Sequence, residues 1–290
     1  MKWPGQFALF ALRWQNRFRY GLKIRRWKAE GYDIAYLHSN GRNAEPTLVF
    51  LHGLGASKDQ WGPRIYSLVG AYNCVFLDLP GEGESSFDDT QIYGPAAQVE
   101  RLKAFFDAQS LNDVVLIGSS IGGCIACLFA AAYPASVSRL IAMAPAGLQA
   151  VRPTPAMRQF FDSGKHPFGY RSVSEMQGLW AIVFTRAPKV PAFLAKALAI
   201  KGALRYAKVG KILGDFKDAG LYPLQGRLAD VQARTLIVWG SNDRVFDISC
   251  LDEVYSLLPQ ASVCIIEGAG HVPYLECADQ TLDAIQRFLD

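Results

Sequence analysis

The sequence is short of the features that would take it outside ordinary globular enzymes. Of its 290 residues 19% are charged and four are histidine. Proline and glycine are not in excess, and neither an internal repeat nor a low-complexity tract is visible, which sets aside disordered, collagen-like and solenoid architectures. Acidic residues are missing altogether from positions 1–28. That segment also lacks an uncharged run near the roughly twenty residues a bilayer span needs. It has no small-residue cleavage site, and Arg13 interrupts its apolar stretch, so a cleaved signal peptide is not expected. The six cysteines, Cys74, Cys124, Cys127, Cys250, Cys264 and Cys277, have no metal-ligand spacing with the histidines. Cys124 and Cys127 form one CxxC pair inside an Ala-rich helical stretch with no second pair, so they are expected to be reduced core residues in a reducing, cytoplasmic setting.

What is present is apolar: half the residues are hydrophobic, enough for one large domain with a substantial core. Apolar runs bounded by Gly, Asp or Pro recur at 47–53, 74–81, 113–119, 138–147, 234–240 and 261–268, with helix-length segments such as 95–109 and 122–133 between them. This alternation predicts an α/β fold with a mostly parallel sheet. The stretch YDIAYLHS at 32–39 suits an antiparallel edge hairpin. The alternation stops after Gly147 and resumes at Arg234, and the proline-punctuated helical segment 148–230 is too long for a plain connection. The expected division is a basic amphipathic helix over 1–28, a core over 29–147 and 231–290, and an inserted helical cap over 148–230.

Residues 113–122, DVVLIGSSIG, place two serines where a strand gives way to a helix. Gly118-x-Ser120-x-Gly122 is the spacing of a nucleophile elbow, in which the apex residue takes a strained backbone and glycines on either side allow strand and helix to approach. Ser120 is therefore the candidate nucleophile, and Ser119 a locally bonded neighbour. A serine needs a base, and the base an orienting carboxylate. Asp243 follows the run at 234–240 and His271 the run at 261–268, in the chain order Ser, Asp, His. Asp247 is the nearest rival carboxylate; Asp78 is expected to organise a turn; His38, His52 and His166 fall in the wrong places for the base. The oxyanion would be held by backbone N–H groups of Ile121, at the start of the helix, and of Leu54, in the turn His52-Gly53-Leu54-Gly55.

With these residues in view the chain resembles the α/β-hydrolase family through FLHGLGASKDQW, DLPGEGES, IGSSIGG, PAGL, WGSNDRVF and GAGHVPYLE, and most closely its monoacylglycerol-lipase and bacterial lipase/esterase branch. The resemblance implies an α/β-hydrolase fold with a central sheet of about eight strands and hydrolysis of carboxylic esters of aliphatic acyl chains through an acyl-enzyme. It implies no metal and no organic cofactor. Glu82 stands where relatives often carry histidine, and Ile121 where methionine or leucine is commoner. The alternatives are a carbon-carbon bond hydrolase, which usually has tryptophan where Val272 stands, and a non-catalytic ligand-binding receptor on the same fold.

Charge is segregated. Residues 1–28 hold eight basic residues, and 148–230 hold thirteen basic against five acidic, so the rest of the chain is strongly acidic. Trp3, Phe7, Phe10, Trp14 and Phe18 recur at helical spacing, the pattern of a helix lying in a lipid interface. The expected partners are a small-molecule or lipid ester and an anionic membrane surface reached through residues 1–28 and the cap, not a nucleic acid.

Overall fold

A computed structural model describes residues 4–41, 43–163 and 168–290; Trp3 and His166 lie outside them. In chain order the elements are α1 (Pro4–Arg19), β1 (Lys23–Ala29), β2 (Tyr32–Ser39), β3 (Asn43–Leu51), α2 (Gly62–Tyr66), β4 (Tyr72–Leu77), α3 (Pro95–Ala108), β5 (Val114–Ser119), α4 (Ile121–Ala132) and β6 (Val137–Met143). There follow α5 (Pro155–Ser163), α6 (Val173–Val183), α7 (Ala192–Asp218), β7 (Arg234–Gly240), α8 (Leu251–Leu257), β8 (Ser262–Ile266), α9 (Pro273–Glu276) and α10 (Ala278–Leu289). The eight strands form one sheet in the order β1-β2-β4-β3-β5-β6-β7-β8. β1 and β2 make an antiparallel hairpin, β2 runs antiparallel to β4, and the rest pair in parallel.

Both faces of the sheet are covered, which is why its strands read as unbroken apolar runs. On β3, Val49 and Leu51 enter one core layer with Cys124, Ile125 and Phe129 of α4 and Phe106 of α3. Leu48 and Phe50 point the other way, among Trp61, Ile285 and Phe288. The CxxC pair belongs to the first layer: Cys124 and Cys127 are free, buried thiols, and burial pushes Cys127 up to about 12. Such thiols stay protonated and act as small apolar side chains.

The N-terminal helix is shorter than the composition of residues 1–28 suggests. Gly21, at φ 62°, ends α1, where Leu22 N–H bonds Arg17 O and Gly21 N–H bonds Phe18 O, a Schellman closure. Lys23, Arg25, Arg26 and Lys28 therefore sit on the edge strand β1 and not on a helix. A row of cations along an open edge also discourages further strands from pairing with it.

Glycine controls where α4 meets the sheet. A Cβ on Gly122 would overlap the carbonyl oxygens of Leu51, the last residue of β3, and of His52 just after it, and one on Gly118 would overlap the Gly122 carbonyl. Neither neighbour is a side chain that could rotate away. Gly122→Ala is accordingly expected to destabilise the fold by about 1–3 kcal/mol or more, measured as the shift in the urea unfolding midpoint; an unchanged midpoint would mean that helix and strand can separate at no cost.

Candidate active site

The carboxyl ends of β3, β5, β7 and β8 converge on one edge of the sheet, where α/β proteins place their reactive groups. Ser120 follows β5 directly and precedes α4. Its backbone is held at φ 55°, ψ −120°, outside the regions that non-glycine residues normally occupy. Three bonds impose this: Ser120 N–H donates to Met143 O at 2.9 Å, and Ser120 O accepts from Cys124 N and Ala146 N at 3.0 Å each. The side chain is thereby presented at the N-terminus of α4, where the helix dipole and free N–H groups favour developing negative charge. Ser119 bonds Tyr274, whose hydroxyl also accepts from Gln60 Nε2 at 2.7 Å.

The structure places Asp243 and His271 in direct contact. His271 Nδ1 lies 2.8 Å from Asp243 Oδ2, with both side chains almost wholly buried. A carboxylate only accepts, so Nδ1 carries the proton and Nε2 is left with its lone pair. The other oxygen of Asp243 accepts from Val245 N at 2.8 Å and Phe246 N at 3.0 Å, fixing the carboxylate plane. The Phe246 ring stands edge-on to the imidazole at 5.2 Å. The rival carboxylate Asp247 is engaged elsewhere: its Oδ1 accepts from Ser249 N at 2.9 Å and caps the short 3-10 turn that follows.

Ser120, Ile121, Leu54 and His271 all line one cavity of about 250 Å³. Its remaining walls are mostly apolar and come largely from the insertion between β6 and β7: Met157, Phe160, Leu179, Trp180, Val183, Phe184 and Leu213, with Leu275 opposite. Leu54 sits in the turn after β3, where Gly55 adopts φ 69°. Two buried side chains hold this turn. His52 Nδ1 donates to Gly53 O at 2.8 Å and its Nε2 accepts from Leu79 N at 3.0 Å; burial lowers the imidazole pKa and keeps it neutral. Glu82 accepts from Gly55 N through both oxygens at 3.0 Å each. Asp78 organises the adjoining turn, accepting from Lys58 N at 2.7 Å and Glu84 N at 2.7 Å, while the buried Lys58 ammonium bridges Asp78 and Glu84. The only sequence signal for Glu82 was its departure from the histidine common in relatives.

The sequence pattern of the alpha/beta hydrolase fold matches residues 46–278. The chain belongs to the α/β-hydrolase family, in its lipase and esterase branch. It is 30% identical to the monoacylglycerol lipase ABHD6 of Mus musculus, over 95% of this chain and 85% of that one. It is 28% identical to Lipase 1 of Psychrobacter immobilis, over 90% and 81% respectively. Among solved structures, a membrane phospholipase A described as a bacterial virulence factor superposes with a TM-score of 0.92 at 33% identity, covering 99% of this chain and 91% of that one.

The Glu82 carboxyl is pushed up to about 7, first by burial and against the favourable Gly55 N–H bond and the positive charges of Arg205 and Lys208. A raised acid pKa means that the folded state holds the proton where the unfolded state has lost it. The contribution to stability is complete below the ordinary value near 4.5 and disappears as pH rises through about 7. The stability of wild type relative to Glu82→Gln is therefore expected to fall between pH 5 and 8, by at most about 1.4 kcal/mol per pH unit. Thermal melts of both proteins across that range would read it, and a constant difference would show that Glu82 does not titrate there.

Proposed function

We propose that Ser120, His271 and Asp243 form a catalytic triad that hydrolyses carboxylic esters of aliphatic acyl chains, with monoacylglycerols and lysophospholipids or phospholipids as the lipid substrates. The observation that carries this reading is that Ser120 and His271 open on one apolar cavity while Asp243 fixes the imidazole tautomer. In the proposed sequence Nε2 of His271 takes the Ser120 proton as the hydroxyl oxygen attacks the ester carbonyl. Asp243 stabilises the resulting imidazolium, and the backbone N–H groups of Leu54 and Ile121 donate hydrogen bonds to the oxyanion. The imidazolium then protonates the departing alcohol. Water, deprotonated by the same imidazole, releases the acid from the acyl-enzyme. No metal enters this chemistry.

Residues 29–147 and 231–290 then form the catalytic core and 148–230 its cap. The apolar side chains that the insertion adds to the cavity suit an acyl chain better than a polar acyl group.

An anionic membrane surface is the proposed second partner. α1 packs along α7, with Gly5 against the Phe193 carbonyl and Ala197, and Arg17 grips Asp59 with two bonds of 2.9 Å. The helix is thus part of the body of the protein, yet Phe7, Phe10, Leu12, Trp14 and Phe18 remain exposed, Phe18 at 89%. Single exposed hydrophobics are ordinary; Phe7, Phe10, Trp14 and Phe18, at helical spacing on one face, form the kind of patch that marks an interaction surface. Among the described residues no helix is long and apolar enough to cross a membrane, so the proposed attachment lies within the interface plane.

Two measurements test these readings. A fluorophosphonate probe should label wild type and not Ser120→Ala, and the variant should lose about 10⁴-fold or more in ester hydrolysis; folded wild type that resists the probe would instead make the protein a ligand-binding receptor. In vesicle flotation, Trp14→Ala/Phe18→Ala should reduce recovery with phosphatidylglycerol-containing vesicles by tenfold or more, while wild type should float better with these than with purely zwitterionic vesicles. Equal flotation of both proteins would remove α1 from the membrane contact.

A further inference from the structure

The short segment after His271, residues 272–276, ends in a glutamate that the proposed chemistry does not use. Its two oxygens accept from different segments of the chain. Glu276 Oε1 accepts from Gly270 N at 2.8 Å, in the loop that carries His271. Oε2 accepts from Thr185 N at 2.8 Å and Arg186 N at 3.2 Å, in the insertion just beyond α6. One further bond runs between the same two segments directly: His271 N–H donates to Val183 O at 2.9 Å. The segments are pressed so closely that a Cβ on Gly270 would lie 2.7 Å from Val183 O and 3.0 Å from Thr185 N.

We infer that Glu276 is a positioning residue that locks the His271 loop and the 183–186 segment of the insertion into one unit, so that the base and the neighbouring cavity wall are set together. The inference rests on the catalytic reading of His271 given above. Three hydrogen bonds cross this junction, two of them to the Glu276 carboxylate, whose other oxygen holds Gly270 on its own side, and none belongs to a helix or sheet ladder that would form without it. Bonds from N–H groups to an ionised acceptor are shorter and stronger than neutral ones. A loop held in this way keeps its backbone where it is; without the carboxylate, of these bonds to the insertion only His271–Val183 remains. The segment on the insertion side carries Val183 and Phe184, which line the catalytic cavity. Removing the carboxylate therefore loosens two things at once: the aim of the imidazole and the shape of the wall facing the acyl chain.

Glutamine in this place separates the two connections. Its amide has one acceptor oxygen and one NH₂ donor, so it can accept from the insertion or from Gly270 but not from both, and its NH₂ group then confronts an N–H. Alanine removes both connections.

The experiment compares wild type, Glu276→Gln and Glu276→Ala by three readouts: rate of fluorophosphonate labelling, kcat/KM for p-nitrophenyl esters of long against short acyl chain, and amide hydrogen exchange in peptides covering 183–186 and 268–272. A cooperative thermal transition confirms folding. Glu276→Ala is expected to label about 10²-fold more slowly, the loss typical of a reacting group displaced by about 1 Å. Its preference between chain lengths should narrow, and exchange should rise in both peptides together. A folded Glu276→Ala with wild-type labelling, or with faster exchange in only one peptide, overturns the inference. Should Glu276→Ala fail to fold, Glu276→Gln decides: labelling at least tenfold slower than wild type supports the inference and wild-type labelling overturns it. If wild type itself resists the probe, the catalytic reading has failed, whereas parallel exchange in the two peptides still tests the lock.

Discussion

Everything at this site depends on a backbone conformation that the chain would not adopt on its own. Ser120 sits at φ 55°, ψ −120°, and such a residue costs of order 1–3 kcal/mol unless its surroundings hold it. They do so from three sides. Met143 on β6 accepts its N–H, Cys124 and Ala146 donate to its carbonyl, and Gly118 and Gly122 bring strand and helix so close that no side chain fits between. The apolar packing of α4 between the sheet and α3 supplies the force that keeps this arrangement closed. Hydrophobic burial of α4 residues such as Ile125 and Phe129 is thus coupled to the exposure of one hydroxyl.

A second constraint follows from where the site lies. At the carboxyl edge of a parallel sheet the chain leaves the ladder, and its N–H groups need other acceptors. In this protein carboxylates serve repeatedly. Asp78 holds the turns at Lys58 and Glu84, Glu82 holds Gly55, Asp243 holds Val245 and Phe246, Asp215 holds Tyr93, and Glu276 holds Gly270 with Thr185 and Arg186. The acidic excess outside residues 1–28 and 148–230 is therefore in part internal architecture. Other acids of the core face a cation of the first basic segment, Arg17 of α1 lying 2.9 Å from Asp59 and 3.7 Å from Glu84, and the Asp215–Tyr93 bond ties α7 of the second to the core. What looks in composition like a simple separation of charge is partly a set of joints between segments.

This explains which features could be read from the sequence. The strands could be, because burial on both faces makes each an uninterrupted apolar run. The elbow could be, because glycine two residues either side of Ser120 is a local requirement written in local sequence. Asp243 and His271 could be placed because each lies in the loop that leaves a strand, and the carboxyl ends of parallel strands share one edge. Glu82, His52 and Glu276 are different. Their partners are backbone N–H or C=O groups, which every residue has, so no residue type at the far end signals the bond. Arg17 and Asp59 are 42 positions apart, a separation at which sequence offers no means of pairing them. The limits of the N-terminal helix were obscured for another reason: the basic composition continues past Gly21, although the helix ends there by a backbone device and the next cations belong to β1.

The insertion between β6 and β7 ties these points together. It closes the cavity with apolar side chains and supports α1 along α7. Its long helix brings Arg205 and Lys208 near Glu82, and its 183–186 segment meets the His271 loop. The insertion therefore touches both sides of the proposed chemistry, the turn carrying Leu54 and the loop carrying the imidazole. A rigid displacement of all of it would disturb both at once, while a movement of the Met157 and Phe160 side chains alone would widen the cavity and leave the bonds of the His271 loop intact. The start of α5 is itself pinned to the loop of Asp243, through Thr154 Oγ1 donating to Val245 O at 2.9 Å, so what can yield to an acyl chain at the smallest cost in free energy is the apolar side chains of the insertion and not its backbone.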